Sequence, residues 1–168
     1  MRIGKDAWLC LAMNIKAGTV ALLFRRQEVK QHMNILFFLT PKNEVEFIYS
    51  DDTISCAMKL LEKSTYTALP VINRAGQYKG TISEGDILWT IKNRYDFDEE
   101  SFANAHLSKI AKMHQYKPVK IDAKLKNMMN RLMNQNFVPV IDDEEVFIGI
   151  VKRKDVLQFY IGQAKEEF

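Results

Sequence analysis

The stretch from Ala68 to Leu88, ALPVINRAGQYKGTISEGDIL, is written twice in this chain. From Val138 to Leu157 the sequence reads VPVIDDEEVFIGIVKRKDVL. Pro70, Val71 and Ile72 recur as Pro139, Val140 and Ile141, while Gly80, Asp86 and Leu88 recur as Gly149, Asp155 and Leu157. All six pairs share an offset of about 69 residues, the mark of a repeated supersecondary unit. An offset held through proline, glycine and aspartate repeats turns and caps as well as apolar residues. The chain is therefore a tandem duplication.

Each copy predicts the same order of elements. Asn34 to Leu39 is apolar and ends at Thr40-Pro41, where proline confines the preceding residue to extended or turn geometry. Glu44 to Tyr49 follows as a short strand or extended segment, and Ser50, Asp51 and Asp52 offer helix N-cap side chains. Ile54, Ala57, Met58 and Leu61 then fall on one helical face, with the helix ending near Ser64. Thr67 to Ile72 and Tyr78 to Ile82 are strands joined by the turn residues Asn73 to Gly76. Pro70 belongs near a strand start or an edge, because it has no N–H to donate. Glu84-Gly85-Asp86 ends the strand and starts a helix through Ile87, Leu88 and Ile91.

In the second copy, Lys117 to Ile121 is the extended segment. Asp122 precedes the helical face of Leu125, Met128, Met129 and Leu132. The offset slips by two here, which predicts a longer helix-to-strand loop around Ser64–Thr67 in the first copy. The methionines fit core packing at helical spacing, with an adaptable partner surface as the alternative. A hairpin spans Val138–Ile141 and Val146–Val151, and the last helix starts at Asp155. Between the copies, Tyr95 to Lys112 reads as a connecting helix. Its acidic residues Asp96, Asp98, Glu99 and Glu100 form a solvated face, or alternatively a metal site.

The predicted divisions are an N-terminal extension over 1–32, a first repeat with the start of the connecting helix over 33–100, and a second repeat over 101–168. Residues 1–32 have no counterpart in the second half. The apolar runs Ala7–Ala12 and Val20–Phe24 are too short to span a bilayer, and no clear small-residue cleavage site follows. Gln27-Glu28-Val29-Lys30 can be encoded by CAG GAG GTG AAA, which contains a ribosome-binding sequence ahead of Met33. Residues 1–32 are accordingly expected to be translated leader, with the native start at Met33. A peptide spanning Met13 to Arg25 in the native protein would contradict this.

Composition narrows the function classes. A net charge of +3, with no basic cluster interleaved with aromatics, does not suggest nucleic-acid binding. Cys10 and Cys56 lack metal-ligand or redox spacing and read as unpaired cytosolic thiols, with Cys56 on a packed helix face. His106 and His114 stand alone. No nucleophile–base pair, paired carboxylate or phosphate loop emerges, so the chain is expected not to be an enzyme.

Ser83-Glu84-Gly85-Asp86 is the stretch that can carry chemistry. A helix start presents free backbone N–H groups that attract phosphate, and an ionised aspartate can accept from the vicinal hydroxyls of a ribose. The alternative is that Asp86 and Asp155 only cap their helices.

The wider pattern resembles the CBS domain family over about residues 35–161. It rests on Leu39-Thr40-Pro41, Tyr66-Thr67-Ala68-Leu69-Pro70-Val71-Ile72, Gly80-Thr81-Ile82-Ser83-Glu84-Gly85-Asp86-Ile87 and their second copies. The resemblance implies an α/β (α+β) fold in which two CBS repeats, each a small sheet with flanking helices, pack as a pseudo-two-fold Bateman module. It implies clefts that receive AMP, ADP, ATP, S-adenosylmethionine or cyclic di-AMP, and no required cofactor. By position, Asp86 resembles the ribose-binding aspartate and Ser83 the phosphate-side hydroxyl. Thr40, Pro41, Thr67, Ala68, Leu69 and Pro70 would line the adenine slot.

In the second copy Asp155 keeps the carboxylate, but Lys152 stands where Ser83 stands. Lysine cannot accept a hydrogen bond, yet it can neutralise phosphate. Arg153 could reach phosphate from either cleft, and Asn136, Phe137, Val138 and Pro139 would form a second apolar slot. The first site is the expected mononucleotide site. The implied role is a cytoplasmic sensor of bacterial type that acts through a homodimer or an unidentified protein partner, without nucleic acid or membrane. The competing reading is a structural or oligomerisation module with vestigial clefts, which Lys152 favours.

Overall fold

A computed structural model of the chain describes residues 34–110 and 116–165. The leader reading of 1–32 and His114 lie outside these residues. From Ile35 onward the described chain packs as one unit. Its elements are β1 (Leu39–Pro41), β2 (Ile48–Tyr49), α1 (Ile54–Lys63), β3 (Ala68–Ile72), β4 (Tyr78–Ser83), α2 (Glu84–Tyr95) and the single turn α3 (Glu99–Phe102). The second copy supplies β5 (Val119–Lys120), α4 (Leu125–Leu132), β6 (Phe137–Ile141), β7 (Phe147–Lys152) and α5 (Arg153–Lys165).

The duplication holds down to strand register. One sheet has the order β2-β3-β4 and the other β1-β7-β6-β5. Ala68 pairs with Ser83 and Leu69 with Ile82, just as Phe137 pairs with Lys152 and Val138 with Val151. Both hairpins carry a register irregularity at the same place, between Val71 and Ile72 and between Val140 and Ile141. The mixed α/β architecture read from the sequence is the one observed.

Strand alternation divides the buried residues into two sets. Leu69, Val71 and Ile82 face helices and join Ile54, Ala57, Leu61, Ile87 and Ile91 in the core of the first repeat. On the opposite faces Ala68, Ile72, Phe137, Phe147 and Ile150 form the seam between the sheets. Phe147, 1% exposed, is the largest fully buried side chain. Burial of such a ring contributes about 1.5–3 kcal/mol.

The hairpin turns also interlock. The Tyr78 N–H donates to the Glu145 carbonyl at 3.1 Å, and the Phe147 N–H donates to the Gly76 carbonyl at 2.9 Å. These bonds exchange places under the repeat offset. Gly76 and Glu145 accordingly share a left-handed conformation, with φ of 84° and 64°.

β1 is exchanged between copies. It stands at the start of the first repeat in sequence but runs antiparallel to β7 of the second, with Thr40 opposite Ile150 and Pro41 opposite Gly149. A Cβ at Gly149 would stand 2.2 Å from the Thr40 carbonyl oxygen, so this close approach requires glycine.

Pro70 lies mid-strand rather than at a strand start. It pairs with Thr81 on one side, while β2 engages β3 only at Val71 and Ile72. The strand therefore presents no ladder partner from β2 at Pro70, which tolerates its missing N–H.

Several local expectations are corrected. The cap of α1 is Thr53, whose hydroxyl accepts from the Cys56 N–H at 3.2 Å, rather than a residue of Ser50–Asp52. Met58 is exposed because the buried face of α1 is narrower, at Ile54, Ala57 and Leu61, and Cys56 is exposed because it lies on the side of the helix opposite that face rather than on it. In the second copy the helix starts at Leu125, after Lys124 and three residues beyond Asp122, and Lys124 makes no side-chain cap bond. Met128 is buried and Met129 half-buried, consistent with core packing.

The two-residue slip lies in helix length, not in a loop. α1 has 10 residues and α4 has 8, while Ser64–Thr67 and Met133–Asn136 occupy matching positions before the next strand. The described part of the expected connecting helix is broken too. Asp96 and Phe97 take positive φ, ending α2, and only the short α3 and a 3-10 turn over Leu107–Lys109 follow among the described residues up to Ile110. The chain then runs extended beside Ser50–Ile54, with the Ile54 N–H donating to Ala105 and the Leu107 N–H to Asp52. The acidic residues Asp96, Asp98, Glu99 and Glu100 are exposed, and His106 Nδ1 stands 2.6 Å from the Asp51 carbonyl.

Candidate functional site

The junction of β4 and α2 brings the central residues together. Ser83 is the N-cap of α2, and its hydroxyl accepts from the Asp86 N–H at 3.1 Å. Asp86 Oδ2 accepts in return from the Ser83 N–H at 2.9 Å and from the Ser83 hydroxyl at 2.7 Å. This reciprocal box satisfies helix-start donors and fixes the carboxylate. Asp86 is buried, an arrangement a carboxylate tolerates when its bonds are supplied.

The predicted apolar slot is attached to this junction. Ala68 pairs with Ser83, and the Glu84 N–H donates to the Thr67 carbonyl at 3.2 Å. Thr67 is exposed, whereas Ala68, Leu69 and Pro70 are buried. Thr67, Ala68, Ser83 and Asp86 thus form one local constellation. Leu69 belongs to the helix-facing core, on the side of the sheet away from the seam.

The second junction repeats the frame but not the chemistry. The Arg153 N–H donates to the Asn136 carbonyl at 2.9 Å, the counterpart of Glu84 and Thr67. Phe137, Val138 and Pro139 are buried in β6, and Asp155 lies in the first turn of α5. The Arg153 guanidinium donates to the Asn136 side-chain oxygen. Lys152 has no acceptor and cannot reproduce the Ser83 half of the capping box.

Thr40 and Pro41 sit with the second sheet rather than beside β3. Thr40 and Pro139 flank Ile150 from opposite sides of β7, and Leu39 is opposite Val151. Their neighbours within the sheet are therefore those of Lys152, not those of Ser83.

Lys152 itself reaches into the first repeat. Its Nζ stands 5.6 Å from the Tyr66 ring centre. Its interaction with the Tyr66 hydroxyl, together with the nearby charges of Asp155 and Glu44, holds the ammonium above the ordinary lysine range despite partial burial. Tyr66 and Glu44 were not legible as site residues. The only signal at Tyr66 is that its counterpart in the second copy is an amide, Gln135.

A separate cavity of about 240 Å³ lies between Tyr78–Gly80 and Tyr116–Pro118, closed by Ile141 and Glu145. It contains none of the predicted site residues. Among the described residues no group of three or more His, Cys, Asp or Glu is placed to hold a metal ion, and no helix is long and apolar enough to cross a membrane.

Two sheets packed face to face, a polar helix start at the end of each hairpin and a shared register agree with a family comparison. The CBS domain model matches residues 38–93 and 110–162. The chain belongs to the CBS domain family. Cyclic di-AMP receptor B of Bacillus subtilis (strain 168) is 28% identical over 126 residues, covering 72% of this chain and 82% of that protein. The solved structure of CbpB in complex with c-di-AMP has a TM-score of 0.77 at 22% identity, covering 88% of this chain and 99% of its own. CBSX2 in complex with AMP has a TM-score of 0.64 at 20% identity, covering 78% of this chain and 98% of its own. At these identities the two solved CBS proteins establish the shared fold.

Proposed function

We propose that this CBS protein is a regulatory module that binds an adenine nucleotide between its repeats and changes its association with itself or a protein partner. The observation that carries this reading is the Ser83–Asp86 box beside the Thr67–Ala68 backbone. A carboxylate fixed at a helix start is positioned to accept from ribose hydroxyls, and the helix start favours phosphate. Cyclic di-AMP is the foremost candidate, since a curated relative is named as its receptor and a solved relative holds it. AMP follows from a second solved relative, while ADP, ATP and S-adenosylmethionine complete the panel.

The role is regulatory rather than catalytic, and cytoplasmic. Differential affinity for two states of the module is what allows a ligand to drive such a response. The first repeat, with Ser83 and Asp86, is the principal site. Lys152, Arg153 and Asp155, with Phe137–Pro139 and the adjoining Thr40–Pro41 strand, make a second site of different charge preference. The partner includes a second copy of the chain. Half-exposed Leu88 on α2 and Leu157 on α5 occupy one repeat position and give self-association paired apolar contacts.

A ligand-free structural module is the second reading. It is favoured by the two Ser83 bonds already accepted by Asp86 and by the Lys152–Tyr66 contact. A thermal-shift panel of the five adenine compounds distinguishes them: a stabilising compound supports the sensor, and five inert compounds support the structural module.

A further inference from the structure

Lys152 and Ser83 occupy one position of the repeated unit, yet they engage different partners. Ile150 faces the seam between sheets, so Lys152, two residues further along β7, faces the same side. Its ammonium lies against Tyr66 in the four-residue strap from Ser64 to Thr67. That strap is held at both ends. The Tyr66 N–H donates to the Ser64 hydroxyl at 3.1 Å, and the Thr67 carbonyl accepts from Glu84 at the start of α2. A chain of contacts therefore runs from Lys152 through Tyr66 and Thr67 to the Ser83–Asp86 junction.

The counterpart positions are otherwise occupied. Gln135, which corresponds to Tyr66, is buried; its side chain donates to the Phe137 carbonyl at 3.2 Å and accepts from the Lys117 N–H at 3.2 Å. Ser83, which corresponds to Lys152, bonds Asp86. Among the described residues the ammonium–aromatic contact thus links the repeats in one direction.

We propose that Tyr66 is the resident partner that an anionic ligand displaces from Lys152. The pair then admits a phosphate-bearing nucleotide to the second cleft and reports its arrival to the first. This rests on the nucleotide reading above. An exposed ammonium–aromatic contact is worth about 0.5–1 kcal/mol, whereas a charge-assisted bond to phosphate is roughly twice as strong as a neutral one. Exchange of Tyr66 for phosphate is therefore favourable. A neutral nucleoside brings no charge to drive it. Because coupling is reciprocal, a ligand in the first cleft shifts affinity in the second by the same factor.

The test is calorimetric titration of AMP and of adenosine into the wild-type chain, Tyr66→Ala, Lys152→Ser and the double variant. Tyr66→Ala is expected to bind AMP about twofold to fivefold more tightly, the fold-change of losing one such competing contact, with adenosine unchanged. Lys152→Ser is expected to bind AMP more weakly and to abolish the gain in the double variant. The proposal is overturned if wild-type binds AMP but Tyr66→Ala leaves it unchanged, alters AMP and adenosine alike, or keeps its gain without Lys152. A wild-type chain that binds neither AMP nor cyclic di-AMP overturns the nucleotide reading, and this inference with it.

Discussion

Asp86 accepts from Ser83 twice, at 2.9 Å from the main-chain N–H and at 2.7 Å from the hydroxyl, while its own N–H returns a bond to the same hydroxyl. The two residues close the start of α2 and orient one carboxylate before any ligand arrives. Ser83→Ala removes the hydroxyl from both bonds and should cost about 1 kcal/mol of stability. Urea denaturation checks this; an unchanged midpoint would show that the box contributes little.

Gly149 lets β1 lie against β7. Replacing it by alanine brings Cβ within 2.2 Å of the Thr40 carbonyl, a backbone atom with no rotamer to relieve the clash. The expected loss is about 1–3 kcal/mol, the usual cost of overpacking. A chemical-denaturation midpoint equal to wild type would contradict the exchanged strand.

Glu145 adopts φ of 64° where its counterpart is Gly76. The left-handed region costs an L-residue roughly 1–2 kcal/mol, part of which glycine gives back through its greater freedom when unfolded. Glu145→Gly should therefore stabilise the fold by about 0.5–1 kcal/mol. A lower melting temperature in this variant would mean that the side chain contributes more than the backbone strain.

Tyr78 predicts an alkaline limit. Burial raises its hydroxyl above the ordinary value of 10.0, and the hydroxyl donates to the Tyr116 carbonyl at 2.9 Å. Above pH 10 the unfolded tyrosine loses its proton while the folded one keeps it. Stability from this group is thus fully present below pH 10 and declines as pH rises, by up to about 1.4 kcal/mol per pH unit. Tyr78→Phe should remove this part of the alkaline slope in urea titrations from pH 9 to about 11. A slope equal to wild type would show that Tyr78 ionises as in water.

The duplication, the hairpins and the helix starts were legible because each has a local pattern: alternation, turn residues, or a hydroxyl three residues before a carboxylate. Long-range choices were not. Nothing in Leu39-Thr40-Pro41 announces that it pairs with the other repeat; that pairing depends on Gly149, far along the chain. Met58 fits the helical period of Ile54, Ala57 and Leu61, but only those three are buried, while Cys56, two residues after Ile54, falls on the far side of the helix. The break after Tyr95 uses Asp96 and Phe97 at positive φ, a conformation that neither residue type signals strongly. At the candidate site, Ser83, Asp86 and Lys152 stood out by comparing copies. Tyr66 became visible only when its strap was seen against Lys152.

The central claim is tested most directly by isothermal titration of cyclic di-AMP, and of AMP, into wild type and Asp86→Ala, with melting temperatures recorded alongside. The account predicts that wild type binds at least one of the two. It also predicts that Asp86→Ala binds about tenfold or more weakly, as expected when a charged hydrogen-bonding group is removed, while losing no more stability than a helix cap contributes. Absence of binding to wild type, or unchanged affinity in Asp86→Ala, would contradict it and leave Asp86 as a cap alone.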